Sequence, residues 1–339
     1  MTLVDLKDPS SFPTRRVEAW KYTDLKRWLR ETPPTSGEAS IAPGGPFAAL
    51  GGEELTVVNG VIPGGDFVMH LAWGDELLRL RFVSVSNDTG HQAKAIIHAN
   101  EDSRLVVLES YEGMGERYVS NVSLTYEVEQ GAHITRIVLA DDVETAISIS
   151  TAQVTVQPGA SFEQVVVTTG AKLQRLETRI KHKGCGASVQ MDGLYALSGD
   201  RHADLTSVVT HTDRDGVTSQ LAKGVVRDTA RGVFQGKIVV ERGADGTDAR
   251  MGHHALILSE RGEVDAKPEL VIYADEVSCA HGNTVGALDE RALFYMQQRG
   301  ISADEARALL TQAFLIEVVD RIGHEGARET VREWLTARL

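Results

Sequence analysis

Val128-Glu129-Gln130-Gly131-Ala132, Val156-Gln157-Pro158-Gly159-Ala160 and His182-Lys183-Gly184-Cys185-Gly186-Ala187 are three versions of one phrase, a polar turn that closes on Gly-Ala. Aligned on Gly131, Gly159 and Gly186, they recur after 28 and then 27 residues, and weaker echoes at Asp102-Ser103, Gly216 and Gly243 continue the series at 27 to 30. Between the turns lie short β-like runs such as Leu55 to Val58, Ile147 to Val156 and Gly236 to Val240. Antiparallel sandwiches also contain such runs, so the period decides. Repeats of this length with one recurrent turn are what stacked β-solenoid coils produce, because each coil buries its apolar row only against its neighbours. The region shows no long crossover helices. The expected fold is therefore mainly β, a parallel β-helix flanked by N-terminal and C-terminal α-helical segments.

Working outward gives four segments. Residues 1–31 read as a helical segment, with Val17, Trp20, Leu25, Trp28 and Leu29 on an interrupted apolar face. Residues 32–53 form a Pro/Gly-rich linker: Pro33, Pro34, Pro43 and Pro46 are four of the chain's nine prolines, and such a run supports neither a continuous helix nor a central strand. Residues 54–285 are the β-helix core. Residues 286–339 are a C-terminal helical domain, with Asp289 and Ser302 as helix caps, Ser302 opening a capping box with Glu305, and Gly300 and Gly323 as stops. Helices at both ends are expected to block end-to-end growth of the solenoid.

The 339 residues carry 35 Lys plus Arg against 48 Asp plus Glu, a formal charge of −13 that disfavours nucleic acid and anionic membranes as partners. The two cysteines, Cys185 and Cys279, are far apart and argue for a reducing compartment rather than a disulfide scaffold. The opening MTLVDLKDPSSFPTRR has early acidic residues and no apolar core, and no apolar run approaches the roughly 20 residues that span a bilayer. A cytoplasmic protein without a membrane segment is expected.

The chemistry concentrates in residues 268–295, PELVIYADEVSCAHGNTVGALDERALFY. Glu269 to Cys279 alternates like a strand bounded by Pro268 and Gly282. Cys279 and His281 are two apart, so on a continuing strand their side chains leave one face roughly 6.5 Å apart. A thiolate beside an imidazole suits iron, zinc or copper, or an iron–sulfur cluster in which His replaces some Cys. Two ligands do not close a four-coordinate site, so a second component must finish it. The bland alternative makes Cys279 a small buried hydrophobe and His281 a turn residue.

This stretch resembles the C-terminal signature of the SufB/SufD family of iron–sulfur cluster assembly proteins, approximately PEL-x-I-x-A-D-[DE]-V-x-C-x-H-G-A-T-x-G-x-L-D followed by LFY and RGI. The resemblance rests on Pro268 to Leu270, Ile272, Ala274-Asp275, Val277, Cys279, His281-Gly282, Thr284, Gly286, Leu288-Asp289, Leu293 to Tyr295 and Arg299 to Ile301. Gly282 after the histidine is similar to the SufD branch, and Asn283 replaces the usual Ala. Further upstream, Arg16 to Thr23 resembles the R-x-E-x-W-[KR]-Y-T phrase of SufD-type chains, and is read as a covering element rather than a ligand. His211, Gly216, Thr218, Gln220, Gly224, Arg231, Val233-Phe234 and Gly236 match a further family succession.

The resemblance implies a SufD-like scaffold subunit that is not itself an enzyme. It implies a transient iron–sulfur cluster or iron bound by His281 and Cys279 and shared with a SufB-like β-helical subunit. It also implies docking of a SufC-like ABC ATPase through the C-terminal helices, with Phe294, Tyr295, Arg299, Leu309 and Phe314 as the contact residues, and a possible homodimer when the chain is isolated. No intrinsic nucleotide site is expected, since Gly232 to Lys237 is one residue short of a phosphate loop and Ile238 stands where Ser or Thr should be. His253 and His254 fall on opposite faces of a strand, so both cannot easily serve one metal. Cys185 reads as a structural or incidental thiol. A β-helical polysaccharide-acting enzyme and a self-assembling structural solenoid are the alternatives. The first would need paired acids, whereas the acids here are scattered.

Overall fold

The structure is a computed structural model that describes residues 4–62, 67–71 and 75–339, with backbone only at 67–71 and 75. Two parallel sheets face each other. One contains, in this spatial order, β1 (Glu53–Val58), β3 (Asp75–Ser84), β5 (Arg104–Gly113), β7 (His133–Asp141), β9 (Ser161–Thr168), β11 (Ser188–Leu197), β13 (Val217–Val226), β15 (Asp248–Ile257) and β17 (Ser278–Gly286). The other contains β2 (Phe67–Leu71), β4 (Thr89–Ala99), β6 (Tyr118–Val128), β8 (Ile147–Val156), β10 (Leu173–His182), β12 (His202–His211), β14 (Arg231–Val240) and β16 (Glu263–Ile272). The chain alternates between the sheets, two strands to a coil. It is the parallel β-helix that the repeat demands.

The repeat is visible in the pairing. His133 lies beside Ser161, 28 residues on, Ser161 beside Ser188, 27 on, and Ser188 beside Val217, 29 on. At the recurrent corner Gly131, Gly159 and Gly186 have φ of 73°, 70° and 79°, the left-handed region in which glycine has no Cβ penalty. Asp102 and Asp215 take the same conformation at 58° and 57°, which Asp tolerates better than most residues. The weak echo at Gly216 is thus displaced by one, and Asp215 bears the turn.

Three apolar layers hold the strands. Inward residues such as Leu80, Ile97, Ile134, Phe162, Met191 and Phe234 fill the space between the sheets. Outward residues of the first sheet, including Ile137, Val167, Leu194 and Val225, are covered by α3 (Ala303–Val319) and α4 (Glu325–Thr336), through Leu315, Val319, Val331 and Leu335. Outward residues of the second sheet, Val119, Ile149 and Leu173 among them, are covered by Leu6, Phe12, Trp20 and Leu25. Parallel sheets are stable when both faces are dry, and the two termini supply the outer cover.

That arrangement corrects three expectations. Residues 4–31 are mostly turns and extended chain, with 3₁₀ turns at Pro9–Ser11 and Glu18–Trp20 and only one short helix, α1 (Leu25–Trp28). Trp20 and Leu25 follow the contour of a sheet rather than one face of a helix. The termini do not cap the coil ends: they lie along the flanks, so the argument against end-to-end growth falls. Finally, Pro268 does not bound a strand. It sits within β16, which is paired on one side only, with β14, where a missing donor is tolerated. The single expected strand from Glu269 to Cys279 is two strands, in different sheets, joined by a corner at 273–277.

Charged groups inside the coil meet partners, whereas His202 Nδ1, His211 Nδ1 and Gln220 Oε1 are buried without a hydrogen bond. Glu109 and Arg136, both buried, form a two-pronged ion pair at 2.6 and 2.7 Å. The Tyr111 and Tyr126 hydroxyls donate to the same carboxylate, and burial, then the neighbouring Glu109 charge, pushes both phenols well above their ordinary pKa. Removing one partner of such a pair strands a charge in the interior, so Glu109→Gln is expected to lower unfolding stability by roughly 3–5 kcal/mol. Urea denaturation of the variant, beside the exposed-site control Arg307→Ala, measures this.

The open terminal rung as candidate functional site

β17 is the last strand of its sheet and pairs only with β15. Cys279, His281 and Asn283 stand in register with Ala249, Met251 and His253, all three buried in the interior. In parallel pairing, register partners share a face, so these side chains occupy the inward face of the final rung. No strand among the described residues stacks on it. Cys279 is half-buried against the interior cluster and His281 is exposed. The site is therefore neither sealed inside the solenoid nor on its flank: it is the interior face, opened at the end.

Burial raises the pKa of the Cys279 thiol, offset in part by a hydrogen bond with the Ala249 backbone, while Asp248 adds to the rise. The resting side chain is a neutral thiol, and only a bound cation or cluster would hold the thiolate. Among the described residues no group of three or more His, Cys, Asp or Glu converges to hold a metal. Cys279 and His281 thus offer two donors without a third, which fits a site completed from outside and not a closed structural one.

The residues that support the rung were missed from sequence. His253 is fully buried, stacks on Phe234 at 4.7 Å, and bonds the Tyr195 hydroxyl at 3.0 Å through Nε2 and the Asn283 side chain at 2.7 Å through Nδ1. Asn283 accepts through Oδ1, so Nδ1 carries the proton and Nε2 accepts from Tyr195. The replacement of the usual Ala by Asn at 283 was the available signal, since a polar residue on an inward face needs a partner. Gly224 and Gly232 leave the room that the Tyr195 ring fills, and Gly236 leaves room for Met251 under His281. His254 points to the other face, bonded to Thr284 at 2.7 Å. Cys185 is exposed at a distant corner with φ 49°.

The helices after β17 divide the other expected contact residues. On α2 (Glu290–Gln298), capped by Asp289, Phe294 and Tyr295 are 64% and 60% exposed. Arg299 lies over the Tyr295 ring at 5.2 Å, and Leu309 on α3 is 43% exposed. Phe314 is different: it is half-buried against the outer layer, with Lys223 Nζ 4.3 Å from its ring. Among the described residues no helix is long and apolar enough to cross a membrane.

A family model for the SUF system FeS cluster assembly SufBD core domain matches residues 82–314. The chain belongs to the SufBD family. A SufBD family iron–sulfur cluster assembly protein of Synechocystis is 27% identical over 272 residues, 77% of this chain and 60% of that protein. The iron–sulfur cluster assembly protein SufD of Escherichia coli is 30% identical over 243 residues, 70% of this chain and 57% of that one. The chloroplastic protein ABCI7 of Arabidopsis thaliana is 28% identical over 249 residues, 73% and 52%. The chain thus spans between half and three fifths of the length of these relatives. The family model's description names iron–sulfur cluster assembly and not polysaccharide chemistry.

The rung's support is acid-sensitive. Burial lowers the His253 pKa to about 4 from an ordinary 6.5, so unfolded or opened chain takes up the proton first. The stabilisation is complete above pH 6.5 and is lost as pH falls toward 4. His253→Ala, which leaves Asn283 and Tyr195 without their partner, is expected to speed amide exchange in β17 several-fold at neutral pH, with little change in β5 or β7. Exchange monitored by mass spectrometry checks both effects.

Proposed function

We propose that this chain is a SufD-like scaffold subunit on which a nascent iron–sulfur cluster, the cargo, is held between two solenoids. The observation that supports this reading is the last rung: a thiol and an imidazole on the inward face of a coil that no strand among the described residues covers. In this reading a SufB-like β-helical subunit stacks against the unpaired edges of β16 and β17, as strand edges readily accept further strands, and brings the remaining ligands. His281, exposed at the open rung, is the primary donor, and Cys279 contributes once a bound metal displaces its proton.

Incomplete coordination by one chain suits a scaffold, because a cluster that must be passed on should not sit in a closed cage. Docking of a SufC-like ABC ATPase falls to the exposed Phe294, Tyr295, Arg299 and Leu309. Phe314, pressed against Lys223, acts on that surface only by holding α3 in place. Nucleotide hydrolysis belongs to the partner, and this chain supplies no catalytic group. The isolated chain pairs with itself through the same open edge until the other subunit displaces it.

His281→Ala in the reconstituted assembly is expected to abolish cluster formation, read by anaerobic iron and sulfide analysis, while leaving the complex intact on size-exclusion chromatography. Full cluster yield from that variant would remove His281 from the site. A Phe294→Ala/Tyr295→Ala double variant is expected to lose the ATPase in pull-down while its thermal melting is unchanged, since neither ring is buried.

A further inference from the structure

On the flank opposite α3 and α4, the N-terminal segment and the coil corners enclose a cavity of about 690 Å³. Six cations line it: Arg15, Lys21, Arg27, Lys172, Arg201 and Arg231. The carboxylates in the lining are Asp24 and Asp200. In a chain of net charge −13, six cations gathered around one hollow run against the average, and like charges held together are costly without a counter-charge.

The pairing of these cations shows where that counter-charge is lacking. Lys172 pairs with Asp200, Arg231 with Asp265, and Arg201 donates to the backbone carbonyls of Asp142 and Gly170. Asp24 is committed to the Arg27 backbone as the cap of α1. Arg15, Lys21 and Arg27 form no salt bridge among the described residues; Glu18, which pairs with Lys267, lies near enough to Lys21 only for the two charges to feel each other. Instead the Arg27 guanidinium and the Lys172 ammonium both stand over the Trp28 ring, at 5.3 and 4.9 Å. Trp28, 44% exposed, thus holds two cations at the wall of the hollow.

The walls are fixed on both sides. Trp20 packs over the buried Arg175 guanidinium at 4.4 Å, the Thr23 hydroxyl donates to the buried Asp204, and Glu18 pairs with Lys267 of β16. The segment that carries Arg15, Lys21 and Arg27 is therefore clamped to the sheet, and the cavity is a pre-formed feature. Pre-organised cations around a concave space are the recognition chemistry of compact multivalent oxyanions.

We infer that this hollow binds a small multivalent oxyanion, a diphosphate or a polycarboxylate, with Lys21 and Arg27 as its principal contacts. The site lies on the second sheet's flank, apart from the terminal rung, and does not depend on the reading of Cys279 and His281.

Isothermal titration of the full chain with inorganic pyrophosphate, and separately with citrate, at about 0.15 M salt, tests this. Saturable binding with one-to-one stoichiometry is expected, weakened roughly tenfold or more by Lys21→Ala/Arg27→Ala and unaffected by Arg307→Ala on the far flank. Pyrophosphate alone binding identifies a phosphorylated ligand, citrate alone a polycarboxylate, and both a general oxyanion site. Absence of saturation by either at millimolar concentration overturns the inference, as does equal weakening by Arg307→Ala. Thermal melting confirms folding of the double variant, and Lys21→Gln/Arg27→Gln repeats the test with side-chain length largely kept.

Discussion

A rung of a parallel solenoid is complete only when another rung lies on each side of it. Its backbone donors and acceptors point up and down the stack, and its inward side chains are dry only if neighbours close over them. Within the coil this condition is met from β5 to β15, and residues such as Met251 and His253 are buried as a result. At β16 and β17 it fails. The stack of described strands ends where Cys279, His281 and Asn283 continue an interior row into the open, so the incompleteness of the fold and the thiol–imidazole pair fall at the same place.

The flanks obey a second condition. Each sheet carries an apolar stretch on its outer as well as its inner face, and the terminal segments cover these stretches by running back along the coil: helices over one sheet, a strap of turns over the other. Covering the flanks leaves the terminus uncovered, so the same economy that stabilises the sheets keeps the last rung accessible. The strap also buries charge. Arg175 is sealed beneath Trp20 between Glu177 and Asp204, an arrangement stable only while all its partners are present.

Much of this was legible in the sequence because the corner chemistry is local. A left-handed residue is needed once per coil, and Gly131, Gly159 and Gly186 announce it at intervals of 28 and 27 residues. The shared face of Cys279 and His281 was legible too, since two residues apart on a strand means one face. What the sequence hid depends on partners distant along the chain. Pro268 reads as a boundary until β16 is known to be an edge, and the 1–31 segment reads as helix because the apolar residues that match a curved sheet also sit near helical spacing. The bond between His253 and Asn283 spans 30 residues, the repeat of the coil, so adjacent positions in space lie far apart in the linear text. Phe314 looked like its exposed neighbours because helical periodicity alone does not say which side of α3 meets the coil.

The corner glycines and aspartates have one more consequence. Because each coil meets only the coil above and the coil below, a stretch from one left-handed corner to the next is a transposable module: duplicating or excising it restores the stacking on either side and leaves the far rungs untouched. A lineage could therefore lengthen or shorten the barrel of this molecule by whole storeys without renegotiating the chemistry at its mouth, whereas loss of a few residues from within a storey would shear every layer above it out of alignment.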